Sequence, residues 1–153
     1  DIAVTSAGTR GVSLPVDPCA VQAAQRLGVD ISAHTPRQFD RTVLAEDGAD
    51  LIIAMTREHL RTVVTTDRYA FPRTFTLREL ARRAAAHASP NETWGEWLAA
   101  MSAGRRVGGL LGDDPTDDVA DPYGQGVARV KATAEELDEL TRTLAALPPW
   151  VPG

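Results

Sequence analysis

Residues 51–55, Leu51-Ile52-Ile53-Ala54-Met55, run apolar without polar alternation, the pattern of a strand buried on both faces of a parallel sheet. Thr56 follows as N-cap for a helix to about residue 64. A second strand-like stretch, residues 73–75, leads into Thr76-Leu77-Arg78-Glu79. That is a capping-box pattern, in which hydroxyl and carboxylate satisfy each other's backbone donors, and the helix after it turns Leu77, Leu80 and Ala81 inward. Ser89-Pro90-Asn91-Glu92 repeats the device and places Trp94, Trp97, Leu98 and Met101 near one side of a helix ended by Gly104. Toward the C-terminus, Val127, Val130, Ala134, Leu137, Leu140 and Leu144 recur at three- and four-residue steps, giving a long amphipathic helix over 127–147 that Pro148-Pro149 stops. Near the start, residues 2–5 read as a short strand entering the loop Ser6-Ala7-Gly8-Thr9-Arg10-Gly11. Asp17-Pro18 then opens a helix over 18–27, with Val21, Ala24 and Leu27 on one face and Gly28 as its stop. Strands alternating with helices imply an α/β layer fold with a mainly parallel central sheet flanked by helices.

Composition narrows the function classes. A chain of 153 residues fits one domain, taken as 1–147 with a tail over 148–153. The formal charge of −5, with basic clusters no longer than Arg105-Arg106, argues against a nucleic-acid partner. No apolar run approaches the roughly 20 residues of a membrane helix, so no membrane partner is expected. The single cysteine, Cys19, excludes an internal disulfide framework and a cysteine-built metal site, and points to a reducing, cytoplasmic setting.

Read in order, Val4-Thr5-Ser6-Ala7-Gly8-Thr9, Gly28-Val29-Asp30, His34-Thr35-Pro36-Arg37-Gln38, residues 50–55 and Asp121-Pro122-Tyr123-Gly124 resemble successive landmarks of the low-molecular-weight protein tyrosine phosphatases. A lone Asp-Pro-Tyr-Gly is a plain turn; the order, the spacing and the long helix directly after it carry the resemblance. It implies a phosphotyrosine protein phosphatase I-like three-layer sandwich, a phosphotyrosine-containing protein or small aryl phosphate as substrate, and no metal or organic cofactor. Asp121 matches the general acid that protonates the departing phenolate. Tyr123 matches the aromatic that lines the phosphotyrosine pocket, where its ring can stack on the substrate's. Ser6 and His34 match the polar pair that braces the phosphate loop from outside. Val12 stands where many relatives carry an aromatic pocket wall, and Thr56 where some carry Asp.

The family's nucleophile is the thiolate of a Cys-x5-Arg loop after the first strand, and this chain has none: six residues separate Cys19 from Arg26, and none of them is glycine. A phosphate cradle needs inward-turned backbone N–H groups that an alanine-rich helix cannot offer, so Cys19 reads as a helix residue. The expectation is therefore a fold lacking the family's first strand, with about 20 to 30 N-terminal residues, the length of a βα unit, missing from the sequence. By itself the chain is expected to be inactive. The complete protein reads as a protein tyrosine phosphatase, against a non-catalytic pseudophosphatase that only binds its partner. An arsenate reductase on the same fold stands third, since Cys19 alone cannot form an internal thiol relay.

Overall fold

The computed structural model describes residues 2–10, 15–87, 92–110 and 115–146. Helix α1, Pro18–Arg26, starts where Asp17 accepts the Cys19 N–H at 2.7 Å, and Gly28 follows it at φ 81°. The helix predicted to end at Leu27 is thus found, and Cys19 lies in its first turn. Helix α2, Arg41–Asp47, was not expected; Asp40 caps it through the Val43 N–H at 3.0 Å. Strand β1, Ile52–Ala54, leads to α3, Arg57–Thr66, capped by Thr56 through the His59 N–H. A 3₁₀ turn, Arg68–Arg73, precedes strand β2, Thr74–Thr76, which passes directly into α4, Leu77–Ala85. Then come α5, Trp94–Ser102, two 3₁₀ turns at Val107–Leu110 and Pro115–Asp117, and α6, Val127–Ala145.

β1 and β2 pair in parallel, Ile52 opposite Thr74 and Ala54 opposite Thr76. Because side chains alternate across a sheet, the two faces feed two apolar clusters. Ala54 joins Leu60 and Val64 of α3 and Phe71 on one side. Phe75 joins Leu77, Leu80, Trp97, Met101, Val119 and Leu144 on the other, built from α4, α5 and α6. Helices thus cover a parallel sheet from both faces, which is the expected α/β sandwich, and β2 is buried throughout, with Thr74 and Phe75 at 0% exposure. Burying a polar Thr74 is sustained because its hydroxyl donates to the Ala70 carbonyl at 2.7 Å.

Three expectations need correction. Residues 2–5 do not form a strand: Ile2 and Val4 are 60% and 86% exposed, and the described sheet contains β1 and β2 only. A strand exists through its ladder partners, and the nearest pairing in this region is one parallel bridge between Gly8 and Gln38. Thr76 caps α4 through the Glu79 N–H, but the Glu79 carboxylate does not return to the cap; it binds Arg83 and Arg105, whose charge-assisted bonds are stronger than one to a neutral N–H. The reciprocal capping box lies instead at Thr93 and Glu96, starting α5 at Trp94 rather than four residues earlier. Ser89, expected to cap it, lies outside the described residues, as do Val12, Pro148, Pro149 and the tail, while Glu92, its expected partner in the box, pairs with His87 Nε2 at 2.7 Å.

Candidate active site

The Asp121 loop is built from local turn chemistry. One carboxylate oxygen, Oδ1, accepts the Tyr123 N–H at 3.0 Å, an Asx-turn that the proline between them favours. Gln125 closes the loop by donating through Nε2 to the Asp121 carbonyl at 2.6 Å. Gly124 and Gly126 sit at φ 73° and 85°, where a side chain would be strained, and let the chain turn into α6 at Val127. The second carboxylate oxygen faces Arg10, whose Nη1 stands 3.5 Å away; both side chains are largely exposed, so this pair adds little stability. Tyr123 is exposed, so an incoming aromatic group can reach its ring.

Upstream the loop is anchored to the end of β1. Val119 is buried and donates its N–H to the Met55 carbonyl at 2.8 Å, and Asp118 accepts the Arg57 N–H at 2.7 Å. Asp117 is held by Arg82 at 2.9 Å. The acidic residues just before Asp121 are therefore committed to other partners rather than gathered around it.

Parts of two other landmarks, residues 6–9 and 37–38, bond to one another. Gly8 donates its N–H to Arg37 O at 2.8 Å and accepts the Phe39 N–H at 2.7 Å, and Arg37 Nε donates to the Ser6 carbonyl at 3.2 Å. Residues 6–9 and 37–39 are thereby stitched together, and Arg10, next along, reaches Asp121. Ser6 is exposed and takes part through its carbonyl; His34 is exposed and donates its backbone N–H to Ile31 O at 3.1 Å. No hydrogen bond joins their two side chains. Arg10, Asp118 and Arg57 were missed in the sequence, because each acts through a partner more than 50 positions away.

Beside the anchor a cavity of about 390 Å³ is lined by Arg57, Leu60, Phe71, Glu79, Arg105 and Asp117 among others. Its central cation is already engaged: Arg105 binds Glu79 at 2.9 Å and the Phe71 and Thr74 carbonyls, and lies over both the Phe71 and Phe75 rings. Burial pulls the Arg105 guanidinium below its ordinary range, and Glu79 opposes that shift. Among the described residues no group of three or more His, Cys, Asp or Glu could hold a metal ion. None of their helices is long and apolar enough to cross a membrane.

The sequence profile described as low molecular weight phosphotyrosine protein phosphatase matches residues 1–90. No curated protein matches the chain. Among solved structures, the chain is similar to the low molecular weight protein tyrosine phosphatase from T. tengcongensis, at 26% identity and TM-score 0.63, covering 92% of this chain and 74% of that one. It is also similar to Vibrio vulnificus Wzb, solved with benzylphosphonate, at 20% identity and TM-score 0.61, covering 93% and 77% of the two chains. The YwlE arginine phosphatase from Geobacillus stearothermophilus aligns at 21% identity and TM-score 0.63, over 92% and 70%. The last two likenesses speak to the fold alone.

Proposed function

The chain belongs to the low molecular weight phosphotyrosine protein phosphatase family, and from that premise we propose that it supplies the acid side of a phosphatase site acting on phosphotyrosine or a small aryl phosphate. Family and fold support a phosphatase function. The observation that carries the finer reading is the Asp121 loop: a carboxylate oriented by the Tyr123 N–H, with an exposed tyrosine ring two residues away.

In the proposed reaction a thiolate attacks phosphorus, an S–P bond forms, and the P–O bond to the leaving phenol breaks as Asp121 delivers its proton to that oxygen. Water then cleaves the cysteinyl phosphate and restores the thiolate. Tyr123 stacks on the substrate ring, and Ser6 and His34 brace the phosphate loop. The nucleophile comes from a Cys-x5-Arg loop, which these 153 residues do not contain. Cys19 does not stand in for it: after five residues it is followed by Gln25 rather than arginine, and the Asp17 carboxylate already takes its N–H at 2.7 Å, putting a negative charge where an anion would sit. Some fold neighbours are arginine phosphatases; the aromatic substrate is preferred here because the Tyr123 ring is open to stacking.

The test is Asp121→Asn in a polypeptide that joins this chain to a Cys-x5-Arg loop. Turnover of a phenol of high pKa should fall about 10²- to 10⁴-fold, the usual worth of general acid catalysis, and the loss should shrink as the phenol becomes more acidic. Vanadate affinity should be nearly unchanged, because an acid used in the transition state contributes to kcat and not to anion binding. Loss of vanadate binding without any change in leaving-group dependence would make Asp121 structural.

A further inference from the structure

The segment just ahead of Asp121 is fastened by two consecutive residues to the C-terminal end of β1, and we infer that Asp118 is a positioning residue that sets where the Asp121 carboxylate stands. This rests on the reading of Asp121 as the general acid.

Asp118 Oδ1 accepts the N–H of Arg57, the first residue of α3, at 2.7 Å and from 61 positions away in sequence. Thr56 already caps the same helix through the His59 N–H, so α3 receives a second cap oxygen from a distant part of the chain. A carboxylate at that position is favoured by the unsatisfied N–H groups and by the helix dipole. Val119 adds a backbone bond to Met55 O at 2.8 Å and inserts its side chain, 4% exposed, into the cluster around Phe75. Met55 O and Arg57 N–H flank Thr56, so Asp118 and Val119 grip both sides of the β1–α3 junction. The other end of the segment is held from the same helix, where the Arg57 guanidinium donates to Gly109 O and Arg61 to Leu110 O.

Asp121 lies two residues past Val119, within about 7 Å of extended chain, so the grip defines its placement from the upstream side. Downstream, the Tyr123 N–H and Gln125 Nε2 bond Asp121 at 3.0 and 2.6 Å, but both lie within the loop itself and orient the carboxylate relative to the loop rather than fastening the loop to the rest of the fold. Gly124 and Gly126 both occupy left-handed backbone, α6 has no side-chain cap, and Arg10 is an exposed partner at 3.5 Å. Removing the Asp118 oxygen should therefore loosen the acid loop while the helices stay packed.

Hydrogen exchange on the 153-residue chain reads the grip directly. Asp118→Ala should speed exchange over residues 119–126 about fivefold, the equivalent of one lost capping bond, with α4 and α6 unchanged. Asp118→Asn, which keeps an acceptor oxygen, should restore most of the protection. Thr56→Ala removes the other cap of α3 and should leave 119–126 as protected as before; an equal effect from both alanine variants would mean general destabilisation of α3 and would overturn the inference. In the polypeptide joined to a Cys-x5-Arg loop, Asp118→Ala should lower kcat for phenyl phosphate more than for para-nitrophenyl phosphate, at constant KM and vanadate affinity, with partial rescue by Asn. If Asp121→Asn shows that leaving-group dependence and Asp118→Ala does not, the positioning inference is wrong and the acid assignment stands. If Asp121→Asn shows none, the acid assignment fails and the inference falls with it.

Discussion

Arg105 carries more of the described structure than its place in an exposed-looking Arg105-Arg106 pair suggests. Its side chain is 5% exposed, pairs with Glu79, donates to two backbone carbonyls and packs over two phenylalanine rings. A buried pair of this kind costs about as much in desolvation as it returns, but losing Arg105 leaves the largely buried Glu79 carboxylate with Arg83 alone and takes a charged donor from the Phe71 and Thr74 carbonyls. Arg105→Ala should therefore cost about 3–5 kcal/mol, measured as a lower urea midpoint at unchanged slope. Arg105→Lys should recover only part, because an ammonium cannot make the forked bonds to Glu79 and reach both carbonyls. Glu79 itself was readable only as a capping residue. Thr76 and Glu79 have the right spacing for that, and nothing local indicates that Arg105, 26 positions away, will claim the carboxylate.

At the level of elements, the caps were the most legible features where the cap residue and the helix are adjacent in sequence, as at Asp17 and Thr56. The start of α5 was misplaced because Ser89-Pro90-Asn91-Glu92 and Thr93-Trp94-Gly95-Glu96 both satisfy the same pattern, and the helix begins at the second, which makes both reciprocal bonds. There the Thr93 backbone N–H, then its hydroxyl, hold the Glu96 carboxyl below its ordinary range. A carboxyl whose folded pKa is depressed contributes stability above its unfolded pKa and loses it as pH falls through the folded value. Glu96→Gln should accordingly narrow the difference in melting temperature between neutral and acid solution, and the two variants should converge at the acid end. Trp94 and Trp97, stacked at 5.3 Å between ring centroids, make fluorescence a direct readout of α5. A variant whose acid loss matches the parent's would show that the box contributes nothing through Glu96 ionisation.

For the molecule as a whole, the 153-residue chain alone should not hydrolyse para-nitrophenyl phosphate, because Asp121 can protonate a leaving group but cannot attack phosphorus. Turnover that disappears in Cys19→Ser would reverse that expectation and return Cys19 to the chemistry. The division between what could be read and what had to be seen follows the range of the forces involved. Periodicity and adjacent cap residues placed α1, α3, α4 and α6 and the β1 and β2 runs, because burial of one stripe or both faces, and a cap beside its helix, are written into neighbouring residues. The same reasoning failed for residues 2–5, whose apolar character is strand-like but which have no ladder to join among the described residues. It passed over α2, whose seven residues have too few turns to show a period. Asp121 and Tyr123 were named from the order of short motifs, and their mutual turn is local enough to follow from Asp-Pro-Tyr itself. What fastens that turn to β1 and α3, and brings Arg10 to face it, depends on bonds spanning 61 and 111 positions. Such pairings are chosen by the packed fold, where a donor at a helix end or a strand carbonyl must find a partner once water is excluded, and no local pattern records which residue will supply it.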